Sequence, residues 1–223
     1  MTNGKKASIS RQITYFAVLV ALTTVLQLVG NTVRIGTVTL NFSLIPIVLS
    51  GLLLGVWYGA ALGGLTGLII LLNNGVFGAD GFTNVLFATD PVIITLVCLL
   101  KTGVAGAVCP LIYKALKGKN EYLAIFLASA SVPVINSGLF AVGMFMIVPS
   151  LVNAGFIADG VSAAYTIFIL FIGLNFVFEF ALNLIVAPAI YRVVKIVEKN
   201  FSSNKTSEKN EQNPEGENDV IDD

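Results

Sequence analysis

The sequence predicts an all-α integral membrane protein with six transmembrane helices, both termini cytoplasmic and a disordered acidic C-terminal tail. Three observations carry that expectation. Of 223 residues 56% are hydrophobic and only 12% charged, the mean hydropathy is +0.86, and the charges gather in a few short stretches between long apolar runs. A soluble globule does not have this composition. The formal net charge is zero, so the total points to neither nucleic acid nor acidic partners, and only the placement of charge informs.

Residues 1–11 carry Lys5, Lys6 and Arg11 and form a cytoplasmic N-terminal segment ahead of a six-helix membrane domain, 12–199. The apolar run 13–30 resembles a secretory leader, but no small-residue cleavage site follows it, so an uncleaved first helix is expected. Residues 30–42 (GNTVRIGTVTLNF) alternate in part and are β-branched, the pattern of a short extended lid. The stretch 40–72 is too long for one comfortable crossing and slightly short for two, given that about 20 residues span about 30 Å of hydrocarbon. Charge placement decides for two. If 40–72 is a hairpin turning near Gly55-Val-Trp-Tyr-Gly59, then Lys114, Lys117, Lys119, Arg192, Lys195 and Lys199 all join the N-terminal cations on the inside, leaving Arg34 as the outer-loop cation. A single span would send both later clusters outward.

The remaining elements follow in order. Residues 73–90, rich in Gly, Asn and Asp, read as an outer loop delivering the chain to Pro91. Spans are expected at 91–113, 122–148 and 165–191, with a third outer loop at 149–164. Residues 200–223 close the chain as a tail; from Ser202 it holds seven acids and two lysines with almost nothing apolar, and disorder is expected.

Polar residues inside the spans mark a candidate site. Asn175, Glu179 and Asn183 are spaced i, i+4, i+8 and share one face of the last helix. A charge near mid-bilayer costs at least about 2.5–3.5 kcal/mol, so that face turns to protein or to a wet cavity. Lys101 is the other charge deep in a span. It lies 13 residues before Lys114, as Glu179 lies 13 before Arg192, which places both about 20 Å above the inner boundary at 1.5 Å per residue. Asn136, 17 residues above Lys119, falls slightly higher. These residues form either the floor of a pocket for a small polar solute, with Phe140, Phe176, Phe178 and Phe180 near in sequence, or a structural clamp in which Lys101 and Glu179 neutralise each other; a proton relay through Glu179 is a third reading.

Other chemistry is poorly served. Cys98 and Cys109 fit no metal or redox spacing and read as small core residues; histidine is absent, which argues against zinc, nickel or cobalt. With no GxxxxGK[ST], G-x-S-x-G or H-E-x-x-H motif, neither ATP use by this chain nor an enzyme is expected, and no cofactor is implied. Small residues recur instead: Ala17 and Ala21 in AVLVA, and Gly59, Gly63 and Gly67 spaced by four. Such faces let helices approach closely in lipid, within one protein or between two.

With its size, six spans, the AVLVA repeat, the stretch LNFSLIPIVLSGLLLGVWYGAALGGLTG and the close FEFALNLIVAPAIYRVVK, the chain resembles the substrate-binding S subunits of prokaryotic energy-coupling-factor (ECF) vitamin transporters over residues 11 to about 197. The resemblance implies a multi-pass plasma-membrane protein that captures a vitamin-like solute of the pantothenate, folate or riboflavin class. Its implied partners are a transmembrane coupling subunit and two ATPase subunits. It also implies that Ala17 and Ala21 face the coupling subunit, with Gly59, Gly63 and Gly67 as further candidates for that face, and that Lys101, Asn136, Asn175, Glu179 and Asn183 bind substrate beneath a lid near Arg34. A secondary carrier driven by an ion gradient is the alternative.

Overall fold

The computed structural model describes the backbone of residues 3–35, 38–39 and 41–212 and the side chains of residues 9–33, 41–197 and 199. The chain runs α1 (Asn3–Gly30), β1 (Arg34–Ile35), β2 (Val38–Thr39), α2 (Leu44–Leu54), α3 (Val56–Ile70) with a π-helical continuation Leu71–Val76, α4 (Gly81–Thr89), α5 (Pro91–Leu116), α6 (Glu121–Met146), α7 (Val148–Asn153), α8 (Ala163–Tyr165), a π-helical segment Thr166–Gly173 and α9 (Leu174–Gln212). Five helical stretches among the described residues are long and apolar enough to cross a membrane: Ile9–Gly30, Val56–Val76, Pro91–Leu116, Glu121–Met146 and Ala163–Val197. The sixth apolar helix, α2, has 11 residues and reaches only about 16 Å.

The turn between α2 and α3 falls where the sequence places it. Gly55 alone separates them at φ 98, in the left-handed region that glycine tolerates. The reversal is sharp, because a Cβ built on Gly59 would stand 3.0 Å from the Cα of Gly51. α2 is enclosed by protein, with Leu44, Pro46, Ile47, Val48, Ser50, Gly51 and Leu52 all buried, so its short length leaves no backbone end facing lipid.

α3 and α5 pack backbone to backbone. Ideal Cβ positions on Gly59, Gly63 and Gly67 fall 2.3, 2.1 and 2.2 Å from the carbonyl oxygens of Gly106, Thr102 and Cys98. No side chain fits there. The four-residue spacing on both helices, running in opposite senses, makes one continuous antiparallel seam. This corrects the expectation that these three glycines serve a partner surface: their small size is consumed inside the fold.

Two apolar clusters bracket a polar layer. One holds Leu19, Leu44, Ile47, Leu62, Ala105, Cys109, Ala128, Val132, Ile190 and Val194; the other holds Ile70, Leu86, Ile94, Cys98, Met144, Leu151, Ile167 and Phe171. Along α5, α6 and α9 alike, the residues between the clusters are the polar ones: Lys101 and Thr102, Asn136 and Ser137, Asn175 and Glu179. At the end carrying most of the basic residues, Glu121 of α6 joins α9 through an ion pair with Lys195 and joins α5 by accepting from the Tyr113 hydroxyl at 3.2 Å. Ring contacts Phe16–Tyr58 at 5.3 Å and Tyr122–Tyr191 at 5.5 Å add to that end.

The extended form expected at 30–42 is present in its described strands, whereas two loops and the tail depart from expectation. The lid 30–42 contains a minimal antiparallel hairpin, Arg34 opposite Thr39 and Ile35 opposite Val38. The loops expected at 73–90 and 149–164 are partly helical, since Asp80 caps α4 by accepting from Thr83 N at 3.0 Å and α7 begins on Pro149 in its first turn. Finally, α9 continues to Gln212 where disorder is expected from residue 200. An existing helix extends without a new nucleation cost, and the Lys, Glu and Gln of that segment are good helix formers. Residues 213–223 of the expected disordered tail lie outside the described residues.

Candidate substrate pocket

The polar layer opens into a cavity of about 70 Å³ whose walls include Lys101, Asn136, Asn175 and Glu179 from three helices. The sequence places Lys101 and Glu179 at one height and Asn136 slightly above, and together with Asn175 they line one cavity. Asn175 and Asn136 turn their Nδ2 groups to the Glu179 carboxylate, at 3.0 Å to Oε1 and 3.5 Å to Oε2 respectively. The Asn41 backbone N–H lies within hydrogen-bonding reach of the same carboxylate. Glu179, 2% exposed, is thus held from α6, from its own helix and from the start of the α2 segment, as a buried charge requires.

Lys101 and Glu179 share the cavity without a direct ion-pair contact, although the ammonium is near enough for its charge to act on the carboxylate. The Lys101 ammonium stands 5.2 Å from the centroid of the Phe140 ring, a cation–π arrangement, and makes no ion pair with Glu179, so the clamp expected as the alternative is not formed. A space therefore separates the cation from the carboxylate cluster. Asn183 lies one turn below and does not line the cavity; its Nδ2 donates to the Glu179 carbonyl at 2.9 Å. Arg34 is in β1 of the hairpin, and its side chain lies outside the described residues.

The aromatic lining differs from the sequence expectation. Phe140 lines the cavity with Phe82 and Phe171, whose rings meet edge to face at 4.9 Å. Phe176 and Phe180 pair with each other at 5.5 Å, and Phe178 is exposed. All three sit off the face that Asn175 and Glu179 share.

The opposite wall holds residues the sequence reading passed over: Gln27, Asn41, Asn74, Asp80 and Thr83. Asp80 and Thr83 bond to each other, and the three amides join through Asn31 and Ser43. Asn31 Nδ2 donates to Asn74 Oδ1 at 2.7 Å, Gln27 Nε2 donates to Asn31 Oδ1 at 3.3 Å, and the Ser43 hydroxyl lies 3.0 Å from Gln27 Oε1 and against Asn41 Oδ1. Asn74 sits in the π-helical continuation of α3, and Phe171 and Ile172 sit in the π-helical segment before α9. The extra residue per turn in such segments re-aims side chains, here toward the cavity. Two signals were available in the sequence: Gln27 continues the four-residue series Leu19, Thr23, Gln27 of α1's buried face, and Asp80-x-x-Thr83 has the spacing of a helix cap.

Ala17 and Ala21 lie on the outward face of α1 with Val18, Leu22 and Val25, away from α2 and α3. A family model described as ECF transporter, substrate-specific component matches residues 11–191. The chain belongs to that family. No curated protein and no solved structure gives a significant match. Members of the ECF substrate-specific family are multi-pass membrane subunits that bind a small-molecule substrate and work with a membrane coupling subunit and ATPases; they are not enzymes.

Proposed function

We propose that this S component captures a vitamin-sized organic solute of the pantothenate, folate or riboflavin class at the outer side of a prokaryotic plasma membrane, for uptake driven by a coupling subunit and two ATPase subunits. The observation that carries the reading is the cavity itself: an ammonium, Lys101, shares an aromatic-lined space with an amide–carboxylate cluster, Asn136, Asn175 and Glu179. Sites of this make-up fix orientation with a few polar groups and supply affinity through apolar walls.

The membrane topology belongs to the same proposal. α2 and α3 pair as a short hairpin that completes six membrane helices, with both termini in the cytoplasm and the basic cluster at Lys114, Lys117, Lys119 and Arg192 on the inner side. The cavity then lies toward the exterior, beneath the hairpin that carries Arg34. The outward α1 face at Ala17 and Ala21 meets the coupling subunit.

Extraction of the full chain in mild detergent, followed by mass spectrometry and absorbance of the released solute, tests the reading. A stoichiometric organic solute is expected, and Lys101→Ala is expected to lower the bound fraction at least about tenfold while the protein still inserts. A wild-type protein purified with no organic solute, which then binds none of pantothenate, folate and riboflavin, overturns it.

A further inference from the structure

In its ionised form the Glu179 carboxylate is acceptor-only, and it faces two amides. Each amide must therefore present its NH₂ to it, as Asn175 does to Oε1 and Asn136 to Oε2. The consequence falls on the other end of each amide. Asn136 Oδ1 and Asn175 Oδ1 are both buried and both lack a partner, and both residues line the cavity. Buried acceptors are normally satisfied, and two orphans on residues that line one cavity call for donors that arrive with a ligand.

On the opposite wall the Gln27 and Asn74 side chains are already engaged, with Asn31 and Ser43 behind them. Lys101, over the Phe140 ring, is the charged donor of the described lining, and Ser137 adds a hydroxyl.

From this arrangement we infer that Glu179 is a positioning residue that fixes the Asn136 and Asn175 oxygens as an acceptor pair, and that the solute is a flat heterocycle whose edge carries N–H donors beside a ring carbonyl or anion for Lys101. An amino-lactam edge, with a ring N–H beside an exocyclic NH₂ and a ring carbonyl, meets this description in full, and a cyclic imide, with one N–H between two carbonyls, meets it in part; a flexible aliphatic carboxylate holds no such fixed edge. The flat body follows from Phe82, Phe140 and Phe171, which reach the cavity from three different segments. The inference rests on the pocket reading above and narrows it.

The test uses the full chain in detergent, stripped of bound solute, with riboflavin and folate as N–H-bearing heterocycles, their N3-methyl derivatives, and pantothenate as the aliphatic comparator. At least one heterocycle is expected to bind about a hundredfold tighter than pantothenate, and N3-methylation is expected to weaken it about a hundredfold, because a site built to receive a donor rejects the analogue lacking it. Glu179→Gln keeps the side-chain volume but offers one acceptor oxygen and one NH₂, so one asparagine must flip and turn its NH₂ to the cavity. In that variant the affinity ratio between parent and N3-methyl analogue is expected to collapse at least tenfold. A merely structural loss would lower both affinities in parallel and leave the ratio unchanged, which overturns the positioning role. Equal wild-type binding of the parent and methylated probes, or preference for pantothenate, overturns the solute class. If neither heterocycle binds while a different organic solute copurifies, the class falls and the pocket reading stands.

Discussion

Gly63→Ala isolates the seam between α3 and α5. A methyl at this position would stand 2.1 Å from the Thr102 carbonyl oxygen and 2.9 Å from the Gly103 Cα. These are backbone atoms, with no flexible side chain to swing aside. Restoring ordinary contact requires the two helices to part by about 1 Å at that level, and a radial gap of that size forfeits a quarter to a half of the dispersion well of the neighbouring contacts. Overpacking of this kind costs about 1–3 kcal/mol; at about 2 kcal/mol, a chain of this length loses about 4–8 °C in melting temperature. Cys98 and Cys109 are free and buried in α5, so a thiol-reactive dye reports the transition on heating in detergent. Gly64→Ala is the control, since nothing lies within 4 Å of its added methyl. The measurement is made on the S component alone. If Gly63→Ala melts with the wild type there and fails only in assembly with the coupling subunit, the seam is not internal and the glycines belong to the partner surface after all.

Two further perturbations address other parts of the molecule. Replacing Ala17 and Ala21 with tryptophan is expected to abolish transport in cells while solute binding to the purified protein stays at the wild-type level, because both alanines are exposed on α1 and remote from the cavity; unchanged transport would remove α1 from the docking surface. Asp80→Ala removes the cap of α4, worth about 1 kcal/mol, so amide exchange across 81–89 is expected to quicken about fivefold by mass spectrometry, and unaltered exchange would show that the apolar contacts of Leu86 hold the helix by themselves.

The sequence made the height of the polar layer legible. Helical rise is uniform, so counting residues from Lys114 and Arg192 placed Lys101 and Glu179 level, and both reach one cavity. The common face of Asn175, Glu179 and Asn183 was equally readable, although spacing could not tell that Asn183 sits a turn too deep. The pairing of α3 with α5 was not readable: a four-residue glycine series is the same string whether the helix it faces lies in this chain or in another. Nor were the π-helical segments, because one extra residue in a turn leaves no compositional trace, and it is these that bring Asn74, Phe171 and Ile172 to the wall while Phe176 and Phe180 turn away. The tail misled for a related reason. Its composition describes an isolated segment, whereas residues 200–212 continue a helix already begun.

The brevity of α2 reaches further than its own packing. It starts at Leu44, three residues after Asn41 of the cavity wall. One additional turn at its start would add about 5.4 Å and draw Asn41 and Ser43 into helix, turning away the side chains that now meet at Gln27. Where coil gives way to helix at this one point thus decides which polar groups stand opposite the buried face of α1.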